Sequence, residues 1–141
     1  MMEMRITGTE EVMRRLTGLS RELHQENIRA MEASVIYITN VSKQDYLSGP
    51  RPEKLDVVTG RLRSSVNYKV TGEGNDLKGI VGTNVVYGRI HELGGYLMRH
   101  GDIVGFMPAR PFLSAALQAA HDFVIERFGR GVQAVISRGG R

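Results

Sequence analysis

The sequence predicts a single α+β domain over residues 1–141, in which an antiparallel sheet of hairpins packs against a long N-terminal helix and a C-terminal helix. Apolar residues recur at three- and four-residue spacing near both ends of the chain, which is the pattern of amphipathic helices. Between them, short alternating stretches are separated by glycine-rich turns, which indicates hairpins. A chain of 141 residues has the usual length of one core, so two full domains are excluded.

The first element is a helical segment over residues 9–48. Thr9 precedes two acidic residues, the arrangement of a capped helix start, and Gly18 is expected to kink or split the helix. Pro50 and Pro52 cannot continue a helix, so residues 49–58 are predicted to form a mobile loop. The predicted buried stripe consists of Leu16, Leu19, Leu23, Ile28, Met31, Val35 and Ile38.

Residues 59–95 are predicted to contain a hairpin and a short helix. Val66, Tyr68 and Val70 alternate with polar residues, and residues 77–83 form the partner strand across a glycine-rich turn. The short helix has a stripe at i, i+4 and i+7 with a capping Asn84, and Gly94-Gly95 ends it. That stripe consists of Val86, Ile90 and Leu93.

Residues 96–107 are predicted to form a second hairpin or extended arm that packs on a neighbouring subunit. Its apolar residues are too many for a solvent-exposed loop, and they are the interface candidates Leu97, Met98, Ile103, Val104 and Phe106. A C-terminal helix is predicted over residues 111–128, starting at Pro111 and weakened after that range by Gly129 and Gly131. Its buried stripe is predicted to be Leu113, Leu117, Ala120, Val124 and Phe128. Residues 137–141 are predicted to be a frayed basic tail.

The composition excludes most catalytic classes. There is no cysteine, and no window approaches the about 18 apolar residues of a membrane span, so we expect a cytoplasmically folded protein without a membrane partner. His91-Glu92 begins a zinc-protease HExxH signature, but Gly95 stands where the second histidine is required. Neither a phosphate-binding loop nor a GxSxG nucleophile motif is present, so the sequence predicts no enzyme, no metal and no cofactor.

The positive charge suggests anionic partners. Nineteen basic residues, fifteen of them arginine, face fifteen acidic ones, which gives a net charge of +4. Arg61 and Arg63 are candidates for facing double-stranded DNA, because neutralising phosphates is the main source of non-specific DNA affinity. Such arginines also occur on ordinary solvated surfaces, and a net charge of this size also serves solubility.

Three segments together resemble the minor tail or neck proteins of tailed bacteriophages, a tail-component family related to Mu-type virion morphogenesis proteins. The segments read VTGRLRSSV at residues 58–66, VGTNVVY and IHELGG within residues 81–95, and MPARPFL at residues 107–113. The resemblance covers about residues 10 to 130 and departs at Gly88, where the family usually has alanine. The motif residues are Thr59, Gly60, Leu62, Tyr87, Glu92, Gly94, Pro108, Arg110, Pro111 and Phe112.

The resemblance implies a structural virion protein that forms a ring in the neck, joining the head connector to the tail or completing the tail. A hexamer is favoured over a dodecamer. The implied partners are further copies of the chain, a head-completion or connector protein, a tail terminator or tail tube protein, and genomic DNA in the lumen. Assembly would take place in the host cytoplasm and the protein would end in the virion. The alternative is a free, non-specific DNA-binding protein.

The positions of Glu92 and Arg110 predict a contact between the short helix and the C-terminal helix. Glu92 ends the short helix and Arg110 precedes the C-terminal helix, each beside a chain reversal. A bidentate ion pair between them would fix the angle between the two helices.

Overall fold

Two long helices and two β-hairpins make up the fold in the computed structural model, which describes residues 9–49 and 60–139. The predicted α+β class is confirmed. The elements in chain order are α1 (Thr9–Val41), a π-helical turn (Ser42–Tyr46), α2 (Arg61–Ser65), β1 (Asn67–Thr71), a 3-10 turn (Gly74–Asp76), β2 (Lys78–Gly82), α3 (Gly88–Leu93), β3 (Gly95–Arg99), β4 (Asp102–Met107) and α4 (Leu113–Gly139). The motif residue Thr59, residues 50–58 of the predicted loop and residues 140–141 of the predicted tail lie outside the described residues.

Helices α1 and α4 pack against each other in antiparallel directions through small side chains. Ala30 of α1 and both Ala116 and Ala120 of α4 are buried, and residue types without bulk let two helices approach closely. Gly18 does not split α1, which is continuous. The predicted stripe of α1 is only partly correct. Val35 and Ile38 are buried, the five preceding members are half-buried at most, and Leu16 is exposed.

The exposed start of α1 follows from the lengths of the two helices. Leu19 lies against Gly139, which is the last described residue of α4. Residues 9–18 of α1 therefore extend past the described part of α4, and their apolar side chains have no helix to cover them there. Periodicity in a sequence reports an amphipathic face but not how far the neighbouring element reaches.

Helix α4 is longer than predicted, since it continues to Gly139 rather than ending at residue 128. Gly131 is buried against α1, where a Cβ atom added to it would lie 2.8 Å from Cγ of Glu26. Close packing on α1 thus outweighs the low helix propensity of glycine. Residues 137–139 are helical, so the predicted fraying is wrong for them. Leu117, predicted to be buried, is 58% exposed.

The two hairpins form separate two-stranded sheets rather than one sheet. In the first, β1 pairs with β2 and the sheet packs on α1. A Cβ atom added to Gly79 would lie 2.5 Å from Val35 of α1, so this contact is close. In the second, β3 pairs with β4 across a two-residue turn in which His100 and Gly101 both have positive φ. Only the first hairpin is covered by a long helix as predicted.

Helix α3 is shorter than predicted. It begins at Gly88 without a side-chain cap, so the prediction of Asn84 as the cap is wrong. Val86 belongs to the preceding turn and is 93% exposed, while its neighbour Val85 is buried. The stop at Gly94 is confirmed, because its φ of 70° is left-handed and its N–H donates to the carbonyl of Ile90 at 2.8 Å.

The main core cluster lies where α2, the loop before α3 and the start of α4 meet the end of α1. Its buried members are Leu47, Leu62, Val66, Val85 and Phe112. A second cluster of Ile38, Ala116 and Ala120 continues it along the α1–α4 contact. None of the helices within residues 9–49 and 60–139 combines the length and hydropathy that a membrane crossing requires.

Candidate functional site

The three motif segments, far apart in the sequence, meet around Phe112. This side chain is completely buried, and Leu62 from the first segment lies in the same cluster. Gly88 from the second segment is also buried, and a Cβ atom added there would lie 3.3 Å from Leu62 Cδ1 and 2.8 Å from Thr83 Cγ2. The glycine at the position where the resembled family usually has alanine therefore stands in a tight site.

Glu92 at the end of α3 caps the start of α4. Its Oε2 accepts hydrogen bonds from the backbone N–H groups of Phe112 at 2.8 Å and Leu113 at 2.9 Å. Its Oε1 accepts from the N–H of Ser114 at 2.9 Å and from the Ser114 hydroxyl at 2.5 Å. The first N–H groups of a helix have no partner within it and carry its positive dipole end, so a carboxylate is well placed here.

The bonding of Glu92 shifts its acidity. Partial burial by itself raises the pKa of this carboxyl. The bonds from the Ser114 hydroxyl and from the N–H groups of Leu113, Phe112 and Ser114 outweigh that effect, and the pKa is lowered overall. The ionised form is therefore the one that the fold stabilises.

The predicted ion pair between Glu92 and Arg110 is wrong. Across the described ranges no ion pair joins these two side chains, because both oxygens of Glu92 point to the α4 backbone. Arg110 connects the two elements through its backbone instead, donating its N–H to the His91 carbonyl at 2.7 Å. The expected linkage of α3 to α4 exists, with different atoms.

Both ends of the second hairpin are held by these contacts. At Gly94, before β3, a Cβ atom would lie 2.7 Å from the backbone nitrogen of Ala109 and 2.9 Å from the carbonyl oxygen of Met107. The backbone before β3 and the backbone after β4 are thus in direct contact, which only glycine permits at this φ. The bond from Arg110 to His91 closes the same junction one residue further on.

The hairpin itself presents the five predicted interface candidates to solvent. Six apolar side chains of the hairpin are exposed: Tyr96, Leu97, Met98, Ile103, Val104 and Phe106. The rings of Tyr96 and Phe106, which are cross-strand partners, meet edge to face with centroids 5.3 Å apart. Met98 and Ile103 are cross-strand partners on the same face as this pair. Exposed apolar side chains grouped in this way are typical of a binding face rather than of a solvated loop.

The predicted DNA-facing residues lie on α2. Arg61 and Arg63 are both exposed, while Leu62 between them enters the core. Lys69 and Lys78 lie nearby in sequence on the first hairpin, and the register of β1 and β2 places them on the face that carries Ile80. Within residues 9–49 and 60–139 no group of three His, Asp or Glu side chains is arranged to hold a metal ion.

Two features were missed from the sequence. Glu26 of α1 is buried and accepts a hydrogen bond from Arg127 of α4 at 3.1 Å, with Arg29 at 3.5 Å on its other oxygen. The signal in the sequence was the position of Glu26, four residues before Ala30 and so on the same face of the helix. The second feature is an exposed apolar face of α4. It comprises Leu117, Ile125, Val132 and Ile136.

Comparison with known proteins identifies one similarity. A family model for the phage virion morphogenesis family matches residues 6–127, which is most of the chain and includes all three motif segments. Neither the comparison with curated proteins nor that with solved structures gives a match.

Proposed function

The chain belongs to the phage virion morphogenesis family and is a structural phage protein, and we propose that it forms a ring in the neck of the virion. In this role it joins the head connector to the tail or completes the tail before joining. Its partners are other copies of the chain, a head-completion or connector protein, and a tail terminator or tail tube protein. A hexamer is the proposed stoichiometry, and no catalytic role is expected.

The observation that supports this proposal is the exposed apolar hairpin β3–β4 on a fixed base. Six apolar side chains on one short hairpin are unfavourable in water unless another protein covers them. The base is held by the Gly94 contact with Ala109 and by the Glu92 cap on α4. A rigid, exposed apolar surface loses little entropy on binding, which suits assembly with copies of itself.

The positive surface fits a ring through which the genome passes. A lumen lined by Arg61 and Arg63 of several copies would not repel phosphate, and salt would screen its effect. Replacing both arginines by glutamate is expected to slow genome passage or head–tail joining without unfolding the domain, since both side chains are exposed. Full activity of that double variant would show that the two arginines are ordinary solvated surface residues without a role in DNA passage.

Complementation of a phage that lacks this gene tests the ring proposal. Deleting residues 97–106 should preserve the folded core and abolish joining, so that electron microscopy shows separate heads and tails. The matched control is Ile80→Ser, which removes an exposed apolar side chain on the first hairpin. A deletion variant that enters particles as well as the wild type would contradict the role of the hairpin.

The alternative remains a free, non-specific DNA-binding protein, supported by the exposed Arg63 and Lys69. Such a protein would bind duplex DNA as a monomer, with affinity that falls steeply as salt rises. A ring seen by negative-stain microscopy together with the loss of joining in the deletion variant would favour the neck role. Salt-dependent binding by a monomer that does not enter particles would favour the alternative.

A further inference from the structure

Resting on the proposed self-assembly, we propose that the Tyr96–Phe106 pair of one copy docks into a groove on α4 of the next copy. The contact is head to tail, because the hairpin of each subunit binds the α4 groove of the next subunit. A heterologous contact of this kind, repeated, closes into a ring when the rotation between subunits allows. A hairpin-to-hairpin contact would give a two-fold dimer instead.

The receptor surface is a second apolar face on α4. One face of this helix is buried against α1 through Ala116, Gly131 and Val135. Leu117, Val132 and Ile136 each follow one of these residues directly, and a step of one residue turns the side chain by about 100° around the helix. They are exposed, and so is Ile125. A helix that is apolar on two faces is normally covered on both.

An apolar groove lies on this face of α4. It has a volume of about 550 Å³ and is mostly apolar in lining. Its walls are Leu117, Gln118, His121, Asp122, Val124 and Ile125. Rigid aromatic side chains that enter an apolar pocket are the usual anchors of an interface. The Tyr96–Phe106 pair is such an anchor and is already arranged before binding.

The exposed apolar area is large enough for a stable contact. Tyr96 and Phe106 are 65% and 62% exposed. Each therefore presents on the order of 100 Å². Met98 and Ile103 are cross-strand partners on the same face and add about 50 Å² each, which brings that face to roughly 300 Å². A standard interface buries about 800 Å² on each partner, somewhat more than half of it apolar. This face of the hairpin thus supplies most of the apolar area of one such interface.

Charges beside the groove also suit α4 as the receptor. The hairpin carries Arg99 beside its turn, and the groove has Asp122 in its wall with Glu126 next along the helix. An arginine at the rim is attracted by these carboxylates when the aromatic pair enters the groove.

Cysteine cross-linking tests this contact cleanly, because the chain has no cysteine of its own. The single variants Asp102→Cys, opposite Arg99 near the turn of the hairpin, and Gln118→Cys, in the polar wall of the groove, leave the aromatic pair intact. Both change exposed side chains, so both are expected to fold, which circular dichroism checks. Each is exposed to a short cross-linker alone and in an equal mixture. The mixture should give a covalent species of twice the subunit mass. Neither variant alone should exceed the mixture of Asp102→Cys with Ile80→Cys, the matched control for random collision.

The outcomes separate this contact from the ring itself. Cross-linking of Asp102→Cys to itself would overturn the head-to-tail arrangement in favour of paired hairpins. Absence of the mixed species at the highest soluble concentration would also overturn the contact. If the wild-type protein still joins heads and tails in the complementation assay, the neck role stands without it. A variant carrying both cysteines should yield a ladder that ends at one closed size.

Discussion

Removing the Glu92 carboxylate should destabilise the domain by freeing the start of α4. In the folded protein this one side chain accepts four hydrogen bonds, three of them from backbone N–H groups at 2.8 to 2.9 Å. In Glu92→Ala those N–H groups either bind water or have no hydrogen-bond acceptor. Glu92→Gln keeps one acceptor oxygen but turns an amide NH₂ toward N–H donors. The alanine variant should therefore be the less stable of the two.

The magnitude follows from helix capping and from bonds to a charged acceptor. Loss of an N-cap typically costs about 1 kcal/mol, and one hydrogen bond to a charged group contributes about 1.5–3 kcal/mol. Because Glu92 is only partly buried, water can replace some of the lost hydrogen bonds. The free energies of the individual bonds therefore do not add. We expect a decrease in the free energy of unfolding of about 2–3 kcal/mol for Glu92→Ala and about 1 kcal/mol for Glu92→Gln.

Urea denaturation followed by circular dichroism measures these changes. Since folding lowers the pKa of Glu92, its contribution is complete above the pKa of the unfolded chain and is lost as the pH falls through the folded value. The wild type and Glu92→Gln should thus differ most at neutral pH and converge in acid. Arg110→Gln is the matched control and should change stability by less than about 0.5 kcal/mol. A coupling energy between the two positions, or a difference that does not shrink in acid, would refute the capping role.

Three further predictions use the same unfolding measurement. Gly131→Ala should cost about 1–2 kcal/mol because its methyl group meets Glu26, whereas Gly129→Ala, with open space around it, should stabilise α4 by about 0.5–1 kcal/mol; equal signs would contradict this packing. Glu26→Ala should cost about 2 kcal/mol by stranding the half-buried Arg127, and a double-mutant cycle with Arg127→Gln should show coupling. Phe112→Ala should cost about 3–5 kcal/mol; a loss below 1 kcal/mol would show that the site collapses without it.

Local sequence signals predicted the elements well because they depend on neighbours in the chain. The first hairpin follows from alternation around Tyr68, and the end of α3 follows from the conformational freedom of Gly94. The end of α4 could not be predicted in this way. Its continuation past Gly129 and Gly131 depends on a contact with Glu26, more than a hundred residues away in the chain. Tertiary packing there overrides propensity.

The sequence predicted the exposed surface of the candidate site but not the hydrogen bonds that hold it in place. The exposed residues of the second hairpin could be recognised because apolar side chains near a turn are unusual wherever they occur. The acceptor role of Glu92 could not, since a carboxylate is equally suited to an arginine and to a helix N-terminus, and only the fold decides which is within reach. In the predicted stripe of α4, Ala120 is buried and Leu113 and Val124 pack against the core, but Leu117 is exposed.

The motif residues act together on the orientation of the hairpin. Phe112 fixes the start of α4 in the core, and Glu92 ties that start to α3. The hairpin connects these two elements, and its two ends are in contact at Gly94 and Ala109. Its direction is therefore set by the core rather than by its own strands, which contact little else. A binding surface held in this way is preorganised, so that burying Tyr96 and Phe106 in a partner contributes to affinity with little loss of entropy.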